Sequence, residues 1–512
     1  MKLSRLMDSL LAADGREFTG EDRSRSSKDP EITSIHYRSG DVVPGGLFVA
    51  VPGLKADGHD FIQEALDRGA AAVVTQRPFK NDSRVRVVDN ARRMLGILGA
   101  RFYGNPSESL FLIGITGTNG KTTTSLLIEH LLAAAGFSLG VIGTIDYHFA
   151  GKSFPNPVTT PESLDLQRIL AQMRDHGVTH AVMEASSHAI DLDRIQSCWL
   201  DLGVFTNISQ DHLDYHGDME RYWACKKSLF IRHLVSGPKK DRAAAVINCQ
   251  DSRGRALAET LFIPCVRVGQ EPDCDIRPDG IRYDLTGITG RILTPDGGFD
   301  LSSPLIGAHN LENILCAAGA GCALGVSPSV IKTGVESLRC VPGRLEPVEN
   351  ELGRFVFVDY AHTPAALENV LTALKDLGGH RIICIFGCGG DRDRDKRPRM
   401  GEVVGRLADL AVVTSDNPRT ESPLSIVEAI IPGIRKSRPR SYDPAEVADG
   451  FENKGFVVES DRRRAISIGI SASRPGDIVL LAGKGHETYQ DVGGRTLHFD
   501  DREEAKRALE AL

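Results

Sequence analysis

Residues 117–124 read Gly-Thr-Asn-Gly-Lys-Thr-Thr-Thr, a run whose residue types suit the binding of nucleotide phosphate. Gly117 and Gly120 let backbone N–H groups turn inward around phosphate oxygens, and Lys121 supplies a mobile cation. The Thr122 hydroxyl suits Mg²⁺, so Gly117, Thr118, Asn119, Gly120, Lys121, Thr122 and Thr123 are the candidate ATP-binding residues. The spacing departs from G-x-x-x-x-G-K-[ST], because Ile115 stands where the first glycine is expected and the glycines fall at Gly114 and Gly117. A shortened loop is implied. Two further clusters carry chemistry: Glu184-Ala-Ser-Ser-His188, and Asn207 followed by Ser209, Gln210, Asp211 and His212. With Thr122 they could surround Mg²⁺ bridging a nucleotide phosphate and an acidic substrate, since hard cations take oxygen ligands. Either cluster alone reads equally well as a strand-end cap.

These residues need strands and helices to place them. Leu110, Phe111, Leu112 and Ile113 form an apolar run without helical period, as expected of a buried parallel strand. After the loop, Leu127, Ile128, Leu131, Leu132 and Ala135 recur at helical spacing until Gly136, a helix stop. Strands predicted at 139–142, 181–183 and 204–207 alternate with helices, which argues for a parallel sheet with ligands at its strand C-termini. Ahead of this unit, short strands at 47–51 and 71–75 predict a small α/β domain. Beyond Val341, Pro342 and Gly343, strands at 355–358, 381–386, 411–414 and 477–481 predict a second doubly wound sheet. Residues 431–455, rich in Pro, Arg, Lys and Gly and without a clear period, are expected to be a surface insertion in which Arg435, Lys436, Arg438 and Arg440 are solvated.

A chain of 512 residues is too long for one core, and should divide into about three domains. The formal charge of −7 gives no footprint for nucleic acid, so none is expected as a partner. Ten cysteines are scattered without a C-x-x-C pair, which implies reduced thiols in a cytosolic protein. Residues 1–14 hold no apolar core ending in a cleavage site, and no run reaches about eighteen apolar residues, so neither secretion nor a membrane span is expected.

The loop at 117–124, Glu184-Ala-Ser-Ser-His188, Asn207-Ile-Ser-Gln-Asp-His-Leu-Asp214, Gly307-Ala-His-Asn310 and Asp359-Tyr-Ala-His-Thr-Pro364 together resemble the motifs of the Mur ligase family, from about residue 41 to the C-terminus. The resemblance implies an α/β protein of three domains. These are a small N-terminal α/β domain that binds the UDP-muramoyl substrate (1–108), a central P-loop parallel-sheet ATPase domain (109–341) and a C-terminal Rossmann-like ligase domain that binds the incoming amino acid (342–512).

It further implies a cytoplasmic monomer that uses ATP and Mg²⁺ to join meso-diaminopimelate to the D-glutamyl side-chain carboxylate of UDP-N-acetylmuramoyl-L-alanyl-D-glutamate through an acyl phosphate. That is a step of peptidoglycan precursor synthesis, on which cell shape and division depend. By the same resemblance Lys121, Lys226, Glu184 and His212 are catalytic, Lys226 is carbamylated, and Thr122, Glu184, His212 and Lys226 hold the metal. Asn310, Arg344 and Asp359 join the nucleotide site, while Thr159, Thr160, Ser186, Arg194 and Lys226 face the muramoyl dipeptide.

Arg392, Asp416, Asn417, Arg419, Gly483 and Glu487 are the implied diaminopimelate contacts. Diaminopimelate carries a second carboxylate at its far end, which an arginine fork pairs with, whereas L-lysine carries an ammonium that Arg419 would repel. The alternatives are the same ligase using L-lysine, and a nucleotide-driven ATPase switch. The chain departs from the family pattern at His36-Tyr37-Arg38, where Asp-Ser-Arg is usual near uridine, at Ala365 in place of Asp, and at 431–455, which has no family counterpart.

Overall fold

The computed structural model describes residues 1–8, 29–53, 56–80, 82–437, 440–448 and 450–512; residues 9–14 of the N-terminal stretch and Arg438 therefore lie outside the described residues. The chain packs as two compact units. One comprises Met1–Arg277, Thr294–Asp296 and Leu315–Gly334, the other Pro278–Leu293, Gly297–Ile314 and Val335–Leu512. Among the described residues no helix is long and apolar enough to cross a membrane.

The first unit holds two sheets with separate apolar cores. Four parallel strands, Ser34–His36, Gly46–Val49, Ala72–Thr75 and Val85–Val87, form the N-terminal sheet in chain order. Its two middle strands are buried at every position, the reason they read as plain apolar runs. The larger sheet has the order Cys265–Val268, Ala244–Asn248, Leu202–Phe205, Phe111–Thr116, His180–Glu184, Leu139–Ile142, Asp146–Phe149, Lys152–Pro155. Phe111–Thr116 pairs in parallel with Leu202–Phe205 on one side and His180–Glu184 on the other, with Thr116 opposite Phe205 and Ile115 opposite Glu184. Three neighbouring strand C-termini therefore deliver the glycine loop, Glu184 and the Thr206-Asn207 turn to one edge, the usual ligand edge of a parallel sheet. Helix Lys121–Ala134 follows the loop and ends before Gly136, whose φ of +85° takes the chain out of the helix.

The sheet closes in an antiparallel hairpin, Asp146–Phe149 with Lys152–Pro155, which the sequence reading did not anticipate. His148 pins it. Its Nδ1 lies 2.7 Å from Asp146 Oδ1 and its Nε2 lies 2.8 Å from Glu129 Oε1 on helix Lys121–Ala134. Burial opposes charge on the ring, but the two carboxylates outweigh it and push the pKa up to about 10. A histidine pKa raised by folding stabilises fully below its ordinary value of 6.5, and the effect is lost as pH rises through about 10. We expect His148→Gln to lower the urea midpoint near neutral pH, and the gap from the parent to narrow as pH is raised through that value. An equal gap at both pH values would rule out the charged ring.

In the second unit, Phe355–Asp359, Ile478–Ala482, Ile382–Phe386, Leu410–Val413 and Gly455–Val458 lie side by side in parallel, with Glu346–Pro347 antiparallel at the edge. Successive residues alternate between two cores: Cys384 and Leu480 enter one, Ile383, Ile385, Val479 and Leu481 the other. Both faces are thus covered, as a doubly wound sheet requires. Arg462 is wholly buried against Asp501 (2.6 and 2.8 Å) and donates to Ser415 O and Ala482 O, each at 3.2 Å. It ties together the C-terminal ends of two strands.

Residues 431–455 are not a surface insertion. Residues up to Arg435 complete helix Pro423–Arg435, Ile434 is buried on it, and Tyr442, Val447 and Phe451 pack into the core under the sheet before strand Gly455–Val458 begins. Pro432 inside the helix disguised its period. The solvated reading holds for Arg435, Lys436 and Arg440, all exposed; Lys436 reaches Glu402 at 2.9 Å and Arg440 lies over the Tyr442 ring at 4.2 Å.

Candidate functional site

The glycine loop has a backbone that only glycine permits at Gly117, where a Cβ would fall 1.9 Å from Thr206 Oγ1. The neighbouring strand end locks the loop: Thr118 N donates to Asn207 O and Asn119 N to Asn207 Oδ1, both at 2.9 Å, and Thr206 Oγ1 donates to Asn119 O at 2.6 Å. The ammonium of Lys121 folds onto the loop and donates to Gly117 O at 3.0 Å and Thr118 O at 2.9 Å. Thr122 and Thr123 open the helix and are buried.

Lys226 lies on helix Met219–Ser228 and is 1% exposed; its Nζ donates to the same Gly117 O at 2.7 Å and sits 4.5 Å from the Tyr222 ring centre. Burial drives its pKa well below the ordinary lysine value, and the charge of Lys121 adds to the drop. Two lysine nitrogens within reach of one carbonyl oxygen repel each other when both are ammonium, which works against the charged form of the buried one.

Glu184 is fully buried at the end of its strand. Thr122 Oγ1 and Thr144 N both donate to Oε1, and Thr144 Oγ1 donates to Oε2, all at 2.9 Å. The described donors to this carboxylate are hydroxyl and amide groups, none of them a cation. A buried negative charge of that kind, beside a phosphate-type loop, fits a divalent cation. Thr122 and Glu184 are joined and Lys226 lies at the Gly117 carbonyl. His212, in left-handed conformation (φ +53°), is half exposed, 3.5 Å from Asp211 and edge-on to His188 at 4.8 Å.

The four residues expected to face an acidic acceptor, other than Lys226, are brought together. Thr159 Oγ1 lies 3.1 Å from Thr144 Oγ1, Thr160 Oγ1 donates to Glu184 O at 2.7 Å, Ser186 N donates to Thr160 Oγ1 at 3.1 Å, and Arg194 Nη1 donates to Thr160 O at 3.1 Å. Arg92, which the sequence reading passed over, shares Glu162 with Arg194 at 2.9 and 3.8 Å, so two guanidiniums face one carboxylate. Tyr37 donates its hydroxyl to Asp165 Oδ2 at 2.6 Å, an anchor on helix Ser163–Asp175. Burial and that bond raise its pKa.

In the second unit Asp359 accepts from Leu345 N and Ala361 N, both at 2.8 Å, and so fixes the turn that carries Arg344, whose guanidinium lies 5.0 Å from the Tyr360 ring centre. Asn310 donates to Ile306 O at 2.8 Å and accepts from Asn313 at 3.0 Å.

A second cluster in this unit gathers the residues after strands Leu410–Val413 and Ile478–Ala482. Arg419 Nη1 donates to Gly390 O at 2.7 Å, and a Cβ on Gly389 would meet that nitrogen at 3.0 Å and Arg392 Cγ at 3.8 Å, so both arginines border the same turn. Asn417 Nδ2 donates to Glu487 Oε2 at 2.8 Å, and Asp416 Oδ2 lies beside Gly483. At the centre is a residue not singled out from sequence, Lys484, fully buried with Nζ 3.1 Å from Asn417 Oδ1, 3.5 Å from Glu487 and 3.7 Å from Asp416. Burial and Asp416 raise the Glu487 pKa against the pull of Lys484 and Asn417. Arginines on one side and acids on the other suit a zwitterion. The only sequence signal for Lys484 was its place between two glycines.

Three family models match the chain: the Mur ligase family catalytic domain over residues 31–103, the Mur ligase middle domain over 115–321 and the Mur ligase glutamate ligase domain over 343–485. A UDP-N-acetylmuramoyl-L-alanyl-D-glutamate–2,6-diaminopimelate ligase of Geobacter metallireducens is 48% identical over 484 residues, covering 94% of this chain and 95% of the relative. Among solved structures, one of a UDP-N-acetylmuramoyl-L-alanyl-D-glutamate–2,6-diaminopimelate ligase aligns at TM-score 0.69 and 30% identity over 100% of this chain and 99% of the other. The MurF ligase of Thermotoga maritima in complex with ADP shares the fold, at TM-score 0.62 and 23% identity over 93% and 97%.

Proposed function

The chain belongs to the Mur ligase family, and on that premise we propose that it joins meso-diaminopimelate to the D-glutamyl side-chain carboxylate of UDP-N-acetylmuramoyl-L-alanyl-D-glutamate at the expense of ATP, a step of peptidoglycan precursor synthesis. The observation that carries the amine assignment is the cluster of Arg419 and Arg392 with Glu487 and Asp416, which offers cations to a distal carboxylate and acids to the amine beside it. The reaction is cytoplasmic in this reading and its working unit is a monomer. The domain divisions that go with it fall at 108/109 and 341/342.

The acceptor carboxylate attacks the γ-phosphorus of ATP, forming an acyl phosphate and releasing ADP; the amine then adds to the acyl carbon and the tetrahedral intermediate expels phosphate. Lys121 leaves the loop carbonyls to follow the charge on the transferring phosphoryl group, while Asn207 holds Thr118 N and Asn119 N and so fixes the loop beside it. Thr159, Thr160, Ser186 and Arg194 hold the acceptor. Mg²⁺ would be held by Thr122, Glu184, His212 and Lys226 as its carbamate, and supplies positive charge that offsets the phosphates. Support for the carbamate comes from the buried amine, whose proton burial and Lys121 disfavour: its lone pair adds to the carbon of CO₂, a proton leaves, and the product is an anion next to Lys121. For Asn310, Arg344 and Asp359 the nucleotide roles are carried over from the family motifs they match.

Phosphate release and product mass, measured with ATP, Mg²⁺ and the muramoyl dipeptide and with meso-diaminopimelate, L-lysine or no amine, test the proposal. A tripeptide product with diaminopimelate alone is expected. Phosphate release indifferent to acceptor and amine would instead favour an ATPase switch.

A further inference from the structure

The hairpin formed by Tyr489–Val492 and Arg495–His498 has no part in the chemistry above. It buries little: Tyr489, Val492 and Leu497 are 40, 37 and 52% exposed, and every residue of its second strand is exposed. Yet its first strand is bonded repeatedly to the 415–419 loop. Gln490 Nε2 donates to Asp416 O at 2.7 Å and to Ser415 Oγ at 3.1 Å, and Asp491 N donates to Asn417 Oδ1 at 3.0 Å. Arg419 N donates to Asp491 O at 2.9 Å, and Gly493 N donates to Arg419 O at 2.6 Å. Both backbone poles of Arg419 are therefore held by the hairpin.

Arg419 needs that hold. Its φ of +51° lies in the left-handed region, which L-residues other than Asn and Asp seldom occupy, and such a conformation persists only where the surroundings impose it. The conformation sends the guanidinium to the Gly389-Gly390 turn, where Nη1 donates to Gly390 O. An element that contributes so little apolar burial and so many hydrogen bonds to one loop acts on the geometry of that loop more than on the core.

We propose that this hairpin sets amine selectivity by positioning Arg419. Gln490 is a positioning residue, fixing the 415–419 loop so that the Asp491 and Gly493 backbone can hold Arg419 in its left-handed conformation, without itself touching the amine. The inference rests on the reading of Arg419 as the contact for the distal carboxylate.

Gln490→Met keeps the length of the side chain and removes both donors, and Ser415→Ala removes one acceptor. In steady-state assays of the full chain, Gln490→Met is expected to raise the KM for meso-diaminopimelate about tenfold and Ser415→Ala about threefold, from the usual worth of two and one hydrogen bonds. The KM for ATP, kcat and the melting temperature should stay near those of the parent, and the preference for diaminopimelate over L-lysine should fall. Unchanged preference in both variants overturns the proposal, as does a loss in which both KM values and the melting temperature move together. Arg419→Ala, assayed in parallel, separates the two readings. If it raises the KM for diaminopimelate and Gln490→Met does not, the hairpin has no such role; if it leaves that KM unchanged, the assignment of Arg419 falls and the hairpin proposal with it.

Discussion

Lys226→Ala should abolish tripeptide synthesis, with kcat down on the order of 10³-fold or more, while the protein stays folded. The side chain is buried and its nitrogen shares the Gly117 carbonyl with Lys121. Removing it leaves Lys121 without the anion that the carbamate provides, at the point where phosphate charge must be balanced. It also leaves a cavity about the size of the lost side chain, so formate or acetate, small enough to enter and carrying the missing charge, should restore part of the rate. Rescue that rises with carboxylate concentration and saturates would identify the cavity as the place of action. Full activity in Lys226→Ala would sink the carbamate assignment. In the parent protein, ¹³C-labelled bicarbonate should give a carbamate carbon resonance that Lys226→Ala lacks.

Arg419→Ala should raise the KM for meso-diaminopimelate by about 100-fold and leave the KM for ATP near its parent value, because truncating one member of a desolvated, hydrogen-bonded charge cluster leaves the distal carboxylate with Arg392 alone. The same substitution removes the cation that disfavours an amine with a second ammonium, so L-lysine should lose far less than diaminopimelate and the ratio between them should shrink. Equal loss with respect to ATP and amine would refute the role given to Arg419.

The strands of the two larger sheets were legible because parallel strands covered on both faces are apolar throughout; the predicted 139–142 strand and the observed Leu139–Ile142 coincide. The antiparallel parts were not. Lys152–Pro155 is exposed but for one partly buried position and ends in Pro155, so neither period nor apolarity marks it. Within the site, the glycine loop and Glu184 were visible because they follow directly on such strands. Thr144 was not, since its partner Glu184 lies forty residues away and a threonine after Gly143 looks like any turn. Lys226 and Lys227 are chemically alike in sequence. Only the packing of helix Met219–Ser228, which buries the first and leaves the second partly open, separates them by physical means.

Arg462 gives this architecture a particular evolvability. By bonding Ser415 O and Ala482 O it welds the two strand ends behind Asp416 and Gly483 into one frame, and those bonds go to main-chain oxygens and not to the side chains at 416–419 or 483–487. A lineage that needed a different third amino acid in its cell wall could exchange side chains of these segments while keeping the two main-chain bonds that hold their strand ends together.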